Sequence, residues 1–160
     1  GYTVSNPQDF GVAEIDEAGQ VISLEEKPTN PKSDCAVTGL YMYPADVAAQ
    51  ARAVQPSARG ELEITALNER YLQSNRLRLT TLGRGFAWLD TGSHESLLDA
   101  GHFIATIERR QGLKIGCVEE IAWHKGWLSR GMMVEIIKSL GSSSYGLYLK
   151  RIWEKDLSEV

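Results

Sequence analysis

The sequence lacks the features that mark secreted and membrane-spanning proteins. Its 160 residues include two cysteines, Cys35 and Cys117, and neither lies in a CxxC or Cys/His ligand spacing. This pattern favours reduced thiols in a reducing compartment, and thus a cytoplasmic protein. Apolar runs extend over a few residues, far short of the roughly 20 that span a bilayer. The first ten residues also lack the charged and apolar regions of a signal peptide.

The chain has little excess charge of either sign. Lys and Arg total 17 against 21 Asp and Glu, a formal net charge of −4. Such a balance gives no bulk attraction for nucleic acid or anionic membranes, so we expect neither as a partner. The hydrophobic content of 42% and the charged content of 24% are close to the globular average. The composition therefore indicates a globular protein in which any phosphate site is local.

The N-terminal part of the sequence alternates strand and helix patterns. Residues 10–28 alternate apolar and polar side chains around a turn at 16–19, which predicts a β-hairpin. Residues 36–43 form an apolar, aromatic run typical of a buried strand. Helical spacing follows over 46–54 and 62–72. Residues 76–82 and 86–89 are predicted to be strands.

The C-terminal part is predicted to be helical. Residues 94–110 place apolar side chains on one face, with Ser93 as a plausible N-cap and Gly112 as the stop. Further helical segments are expected over 132–140 and 145–154. The chain also begins without Met, and its first residues resemble the inside of a strand, so we expect a further N-terminal segment. Together the patterns predict an α/β fold with a helical C-terminal end.

Three segments contain side chains suited to a sugar phosphate. In LEEKP, strand alternation directs Glu26 away from its neighbours, so that its carboxylate can accept sugar hydroxyls while Lys27 neutralises phosphate. In RGELEIT, Arg59 stands in a loop before a helix and can hold an anion. The plainer alternatives are a solvated strand end and a surface arginine.

The segment GRGFAWLDTG is the sharpest of the three. Trp88 offers a flat apolar wall, and Asp90 at a predicted strand end can ligate Mg²⁺, which prefers oxygen ligands completed by substrate phosphates. The alternative is a helix-capping aspartate beside a core tryptophan. The histidines show no metal-ligand spacing, and no nucleophile elbow or triad is present.

These segments, with AVTGLY, ERRQGLKIGCVEEIAW and YGLYL, occur in an order and spacing that resembles the C-terminal half of bacterial glucose-1-phosphate thymidylyltransferases. The resemblance covers nearly the whole chain. It implies that residues 1–111 are the sugar-phosphate-binding portion of a Rossmann-like nucleotidyltransferase mixed sheet. Residues 112–160 would be a helical regulatory and oligomerisation segment.

The resemblance also implies a reaction and its site. The family joins glucose 1-phosphate to dTTP with Mg²⁺, giving dTDP-glucose and pyrophosphate for dTDP-rhamnose-type polysaccharide synthesis. The catalytic positions would be Lys27 and Arg59, and the metal ligand Asp90. The implied substrate-binding residues are Phe10, Gly11, Glu26, Lys27, Val37, Tyr41, Arg59 and Trp88.

A second, regulatory nucleotide site is implied at Lys114, Gly116, Glu120 and His124. His124 stands where the family usually has Arg, so feedback inhibition is in doubt because neutral imidazole lacks a permanent charge. The family's GGxGTRL loop, its base contacts and its other metal aspartate belong to an N-terminal half, so this chain alone is expected to be inactive. The family suggests a homotetramer.

Two alternatives to an enzyme half stay open at this point. One is a stand-alone sugar-phosphate-binding or regulatory module without turnover. The other is an oligomerisation piece in which the motifs persist only as scaffold. The preference for dTTP over UTP rests on the resemblance alone.

Overall fold

The computed structural model describes residues 1–158 and divides into two compact units, one of residues 1–88 and one from Leu89 on. Among these described residues, the first unit contains a four-stranded sheet, one 3-10 helix and two α-helices, and the second unit contains four α-helices. The predicted α/β fold with a helical C-terminal end is thus confirmed. The functional division predicted between residues 111 and 112 falls within the second unit and stays a prediction.

The sheet of the first unit is antiparallel at every pairing. Its strands are β1 (Tyr2–Thr3), β2 (Gly11–Ile15), β3 (Val21–Glu26) and β4 (Cys35–Ala36), in the order β1-β4-β2-β3. One face of the β2 and β3 pair buries Ala13 and Leu24 with Cys35. On β3 this burial accounts for the alternating pattern, because Leu24 faces the core, whereas on β2 both Val12 and Ala13 are buried.

The predicted hairpin is confirmed, and its turn is stabilised by one aspartate. The Asp16 carboxylate accepts hydrogen bonds from the amides of Ala18 at 2.9 Å and Gln20 at 2.7 Å. Gly19 has φ +79°, a conformation that glycine adopts without steric cost. The turn fixes the register in which Gly11 lies opposite Glu26.

The other strand predictions are largely wrong. The run 36–43 is a strand only at its first residue, and neither 76–82 nor 86–89 is assigned as a strand. A strand requires a neighbouring chain to pair its N–H and C=O groups. Around Thr80 and Leu82 the backbone bonds to the single residue Gly1, at 2.8 and 2.7 Å, which is too little for a ladder.

The helices of the first unit match their predicted positions. A short 3-10 helix spans Pro7–Asp9, followed by α1 (Val47–Arg52) and α2 (Ile64–Gln73). Helix α2 packs against β3 and buries Leu67 and Tyr71.

The second unit contains α3 (His94–Gln111), α4 (Val118–His124), α5 (Arg130–Leu140) and α6 (Ser144–Ser158). Ser93 caps α3 by accepting from the Ser96 amide, and Gly112 ends it with φ +67°. Helix α4 was not predicted, since seven residues are too few to show a helical period clearly. The helices of residues 1–158 are all too short or too polar to cross a bilayer.

The core of the second unit joins α5 and α6. Met133 and Leu149 are fully buried there with Cys117 and Tyr148, and Trp123 and Ile137 pack against them. Cys117 and Cys35 are both free thiols, as predicted.

We predict that Leu149→Ala lowers the free energy of unfolding by about 2 to 5 kcal/mol, since it leaves a cavity among well-packed neighbours. Leu149 is 0% exposed, whereas Leu147 on the same helix is 56% exposed and provides the matched control. Urea denaturation of both variants measures the difference. Equal losses for the two variants would contradict this assignment of the core.

Candidate active site

The predicted site residues Glu26 and Gly11 lie opposite each other at the end of the hairpin. Glu26 is the last residue of β3, and its Oε2 accepts a hydrogen bond from the Thr65 hydroxyl of α2. A Cβ at Gly11 would come within 2.9 Å of Thr65 Oγ1 and 3.1 Å of Glu26 Oε2. Gly11 therefore allows the carboxylate and the helix to approach closely.

The two faces of β3 separate its neighbouring glutamates, as alternation predicts. Glu25 pairs with Lys32 at 2.8 Å on one face, and Glu14 lies 3.7 Å from the same lysine. Glu26 instead points toward α2. The interpretation of LEEKP as a plain solvated strand end thus applies to Glu25 rather than to Glu26.

Thr65 contacts the predicted site residue Glu26, and no sequence motif pointed to it. It is 6% exposed, and Asn68, three residues further along α2, is also buried. Two buried polar residues at helical spacing need partners, and Thr65 has Glu26 while Asn68 accepts a 2.6 Å bond from Tyr43 Oη. A search for polar residues on the apolar face of α2 could have found both.

Lys27 has an unusual backbone conformation directly after Glu26. Its φ of +43° lies in the left-handed region, which non-glycine residues rarely adopt. The Lys27 amide donates to the Phe10 carbonyl at 2.9 Å, which extends the hairpin pairing by one step. The strained turn redirects the chain after the strand, and the Lys27 side chain is exposed.

Phe10 and Trp88 form an aromatic contact next to Gly11. Their ring centroids lie 5.1 Å apart in an edge-to-face arrangement, and Tyr2 approaches Trp88 at 6.0 Å. Trp88 is half-buried, so one part of its surface stays open. The contact places Trp88, which is distant in the sequence, beside the hairpin. A half-buried Trp88 fits the predicted apolar wall better than a fully buried core position.

Tyr41 and Val37 approach the same end of the hairpin. The Val37 amide donates to the Gly11 carbonyl at 2.8 Å. Burial and, second, the negative charge of Glu26 raise the pKa of Tyr41. Tyr41 stacks on Tyr43 with centroids 5.8 Å apart.

Arg59 lies in the segment that leads into α2, and its guanidinium is paired with two carboxylates. Its guanidinium lies 3.0 Å from Glu61 and 3.5 Å from Glu63. Within residues 1–158, no hydrogen bond or ion pair joins Arg59 to Glu26 or Lys27. The structure thus places Arg59 before the helix that supplies Thr65, without joining it to the hairpin residues.

Asp90 belongs to the second unit and is exposed. Its Oδ2 accepts from the Gly92 amide at 3.2 Å, whereas the N-cap of α3 is Ser93. The alternative of a helix-capping aspartate is therefore wrong. Residues 1–158 contain no group of three or more His, Cys, Asp or Glu side chains that could enclose a metal. A single exposed carboxylate fits Mg²⁺, which is commonly held by one or two carboxylates together with phosphates and water.

The residues implied for a regulatory site fall into two neighbouring places on the second unit. Lys114 pairs with Glu108 at 2.5 Å and lines a cavity of about 560 Å³ with Arg109 and Arg151. Gly116, at φ +69°, leads toward α4.

On α4, Glu120 accepts from the hydroxyl of Tyr148, which also lines the cavity. His124 lies 3.8 Å from Glu120 and 3.6 Å from Asp156 of α6. Two carboxylates therefore face the imidazole. The assignment of these residues to a regulatory site stays a prediction.

The comparisons with known proteins agree on one family. The family model described as nucleotidyl transferase matches residues 1–107. A glucose-1-phosphate thymidylyltransferase of Neisseria meningitidis is 51% identical over 96% of this chain and 54% of its own length. One from Mycobacterium tuberculosis H37Rv is 50% identical over 97% of this chain and 54% of its own length. The resemblance stated from the sequence motifs is thus confirmed, and the chain spans about half the length of these relatives.

A solved structure supports the same fold. It is a Bacillus anthracis protein assigned as a glucose-1-phosphate thymidylyltransferase, in complex with sucrose. The aligned residues are 42% identical, and the TM-score is 0.56. The alignment covers 64% of this chain and 40% of the other.

We predict that Gly11→Ala lowers the free energy of unfolding by about 1 to 3 kcal/mol, because its Cβ would press on Thr65 and Glu26. Gly39→Ala is the control, since its Cβ would meet nothing within 4 Å. Chemical denaturation of both variants tests this. A Gly11→Ala variant as stable as the Gly39→Ala variant would show that the approach of α2 to the hairpin is loose.

Proposed function

This chain belongs to the nucleotidyl transferase family, and on that premise we propose that it is the sugar-phosphate-binding part of a glucose-1-phosphate thymidylyltransferase. The main support is about 50% identity to curated enzymes of this name over nearly the whole chain. In the proposed reaction, a phosphate oxygen of glucose 1-phosphate attacks the α-phosphorus of dTTP. The bond to pyrophosphate breaks, and dTDP-glucose and pyrophosphate are the products.

Sugar recognition is assigned to the end of the hairpin. The Glu26 carboxylate accepts hydrogen bonds from sugar hydroxyls, and the Thr65 hydroxyl holds it in place. The backbone groups of Gly11 and Val37 are assigned to contact the sugar, and the Tyr41 ring is assigned to pack against it. Phe10 and Trp88 form an apolar wall, a surface that suits the C–H face of a pyranose ring.

Lys27 and Arg59 are assigned to the sugar phosphate. The phosphate dianion of the sugar repels an incoming nucleoside triphosphate. Cations that neutralise the sugar phosphate therefore allow the two reactants to approach. Lys27 follows Glu26 directly, and one ligand could therefore contact both side chains. Because nucleotidyl transfer depends mainly on positioning and charge neutralisation, these two residues are proposed as the catalytic residues of this chain.

Nucleotidyltransferases generally use a divalent metal, and we assign Asp90 as its ligand on this chain, with Mg²⁺ as the ion. Bound there, the ion would neutralise charge on the reacting phosphates. Asp90 supplies an exposed carboxylate in a short turn that its own bond to Gly92 stabilises.

The remaining assignments concern the second unit and the whole protein. Residues 112–160 are proposed as a regulatory and oligomerisation segment, with Lys114, Gly116, Glu120 and His124 in the regulatory site. A cytoplasmic homotetramer is the corresponding assembly. A binding module without turnover is the competing function, since the chain spans about half the length of its curated relatives.

The function is tested first by the intact mass of the native polypeptide and by pyrophosphate release from dTTP and glucose 1-phosphate. We expect a mass near twice 17.7 kDa and turnover that depends on both substrates. A native mass of 17.7 kDa with glucose 1-phosphate binding but no pyrophosphate would favour the binding module. Replacing dTTP by UTP in the same assay measures the base preference.

In the native-length protein, Asp90→Asn should reduce turnover at least tenfold, because the amide keeps the shape of the side chain but removes the charge that holds the cation. Asp99→Asn, at an exposed position on α3, is the control for a change of charge nearby. Turnover is measured over a range of Mg²⁺ concentrations. Full activity of Asp90→Asn would support the scaffold interpretation instead.

Lys27→Ala should raise the Michaelis constant for glucose 1-phosphate about 10-fold or more, since a charge-assisted phosphate contact contributes roughly 1.5 to 3 kcal/mol. Lys32→Ala is the matched control, because Lys32 pairs with Glu25 on the opposite face of the hairpin. Steady-state kinetics with varied glucose 1-phosphate gives both constants. An unchanged Michaelis constant in Lys27→Ala would remove this residue from the phosphate site.

A further inference from the structure

Arg59 lies in a tight turn that precedes α2. The Ser57 amide donates to the Glu61 carbonyl at 2.8 Å, and the Gly60 amide donates to the Ser57 carbonyl at 2.8 Å. Gly60 has φ +79°, which a residue with a side chain rarely adopts. The Arg59 amide also bonds to Ser57 Oγ at 3.2 Å. The backbone that presents the arginine is therefore fixed at several points.

Two carboxylates hold the guanidinium, and they differ in their surroundings. The Glu61 side chain is 59% exposed and contacts Arg59 at 3.0 Å. The Glu63 side chain is 13% exposed and lies 3.5 Å from the other terminal nitrogen. Glu63 also accepts a 3.0 Å hydrogen bond from the Ser57 hydroxyl. Glu63 thus contacts both the arginine head group and the turn, whereas the described contact of the Glu61 side chain is with the arginine alone.

The charges of Arg59, Glu61 and Glu63 together determine whether a phosphate can bind at the guanidinium. One guanidinium with two carboxylates has a net charge of −1, which repels a phosphate dianion. An exposed ion pair contributes little to stability, so the Glu61 contact is easily replaced. The better-buried Glu63 is fixed by its second partner and cannot leave without breaking the bond to Ser57.

We propose that Glu63 is a positioning residue that holds Arg59 for the sugar phosphate, and that the phosphate takes the place of Glu61 on the guanidinium. This inference rests on the proposed function, in which Arg59 binds the phosphate. Glu63 orients the guanidinium through Nη1 and stabilises its turn through Ser57. Glu61 occupies the guanidinium until an anion with more charge replaces it.

The proposal predicts opposite effects for the two glutamates on the dissociation constant of glucose 1-phosphate, measured by titration calorimetry of the native-length protein. Glu63→Ala should weaken binding about tenfold, and Glu63→Gln, which keeps an oxygen acceptor, should restore it to within about threefold. Glu61→Gln should strengthen binding about two- to fivefold, because it removes a competing charge. Weaker binding in Glu61→Gln would overturn the displacement.

An Arg59→Ala background separates positioning from a general structural effect. The effects of substituting two residues that act through one contact are not additive. Glu63→Ala should therefore cause no further loss of glucose 1-phosphate binding in this background. An equal loss in both backgrounds would overturn the proposal. If Arg59→Ala alone leaves binding unchanged, the phosphate role of Arg59 in the proposed function fails, and the proposal fails with it.

A milder variant keeps the test valid if Glu63→Ala does not fold, which thermal denaturation would show. Ser57→Ala removes one of the two partners of Glu63, together with the acceptor of the Arg59 amide, and leaves the charges of Glu63 and Arg59 in place. It should weaken binding about two- to threefold in the natural chain and have no effect with Arg59→Ala. Unchanged binding in Ser57→Ala, with Arg59→Ala still weakened, would overturn the role of Glu63.

Discussion

The hydrogen bond from the Thr65 hydroxyl to the Glu26 carboxylate joins helix and sheet in the first unit, and the candidate site is arranged around it. A carboxylate at a strand end would ordinarily turn to water, where its charge is solvated. Here the close approach of α2, which the missing side chain of Gly11 allows, gives that carboxylate a fixed partner. One carboxylate oxygen is thereby held at a defined position beside the end of the hairpin.

A second set of contacts joins the tyrosine rings next to the candidate site. Tyr41 stacks on Tyr43, which packs on Tyr71 with centroids 5.5 Å apart. Burial and the neighbouring phenols raise the pKa of Tyr43 to about 12, so it remains a neutral donor to Asn68. Arg76 lies over the Tyr71 ring and lowers the pKa of Asp46 through their hydrogen bonds. Tyr41, a proposed substrate-binding residue, thus stands at the end of a series of contacting rings.

The second unit uses carboxylates differently, to join its helices. Tyr145 donates to Glu119 and Tyr148 donates to Glu120, so both phenols of α6 bind to α4. The indole of Trp123 adds a 2.7 Å bond to Asp156. Burial, the largest cause in both cases, raises the pKa of each phenol and keeps it a donor. Because these bonds fix Glu120, its carboxylate is an ordered feature of the proposed regulatory region.

Elements whose contacts are local could be predicted from the order of residues alone. The hairpin turn at Asp16 and Gly19 and the capped helix α3 were predictable, because turn, cap and period lie within a few residues. Motif resemblance also identified the family and proposed the site residues. Three features emerge only from the folded residues 1–158: residues 76–82 form no strand there, Thr65 binds Glu26, and two glutamates hold Arg59. The first two depend on residues far apart in the chain, and the third on the conformation of a turn, so a pattern of side chains cannot specify them.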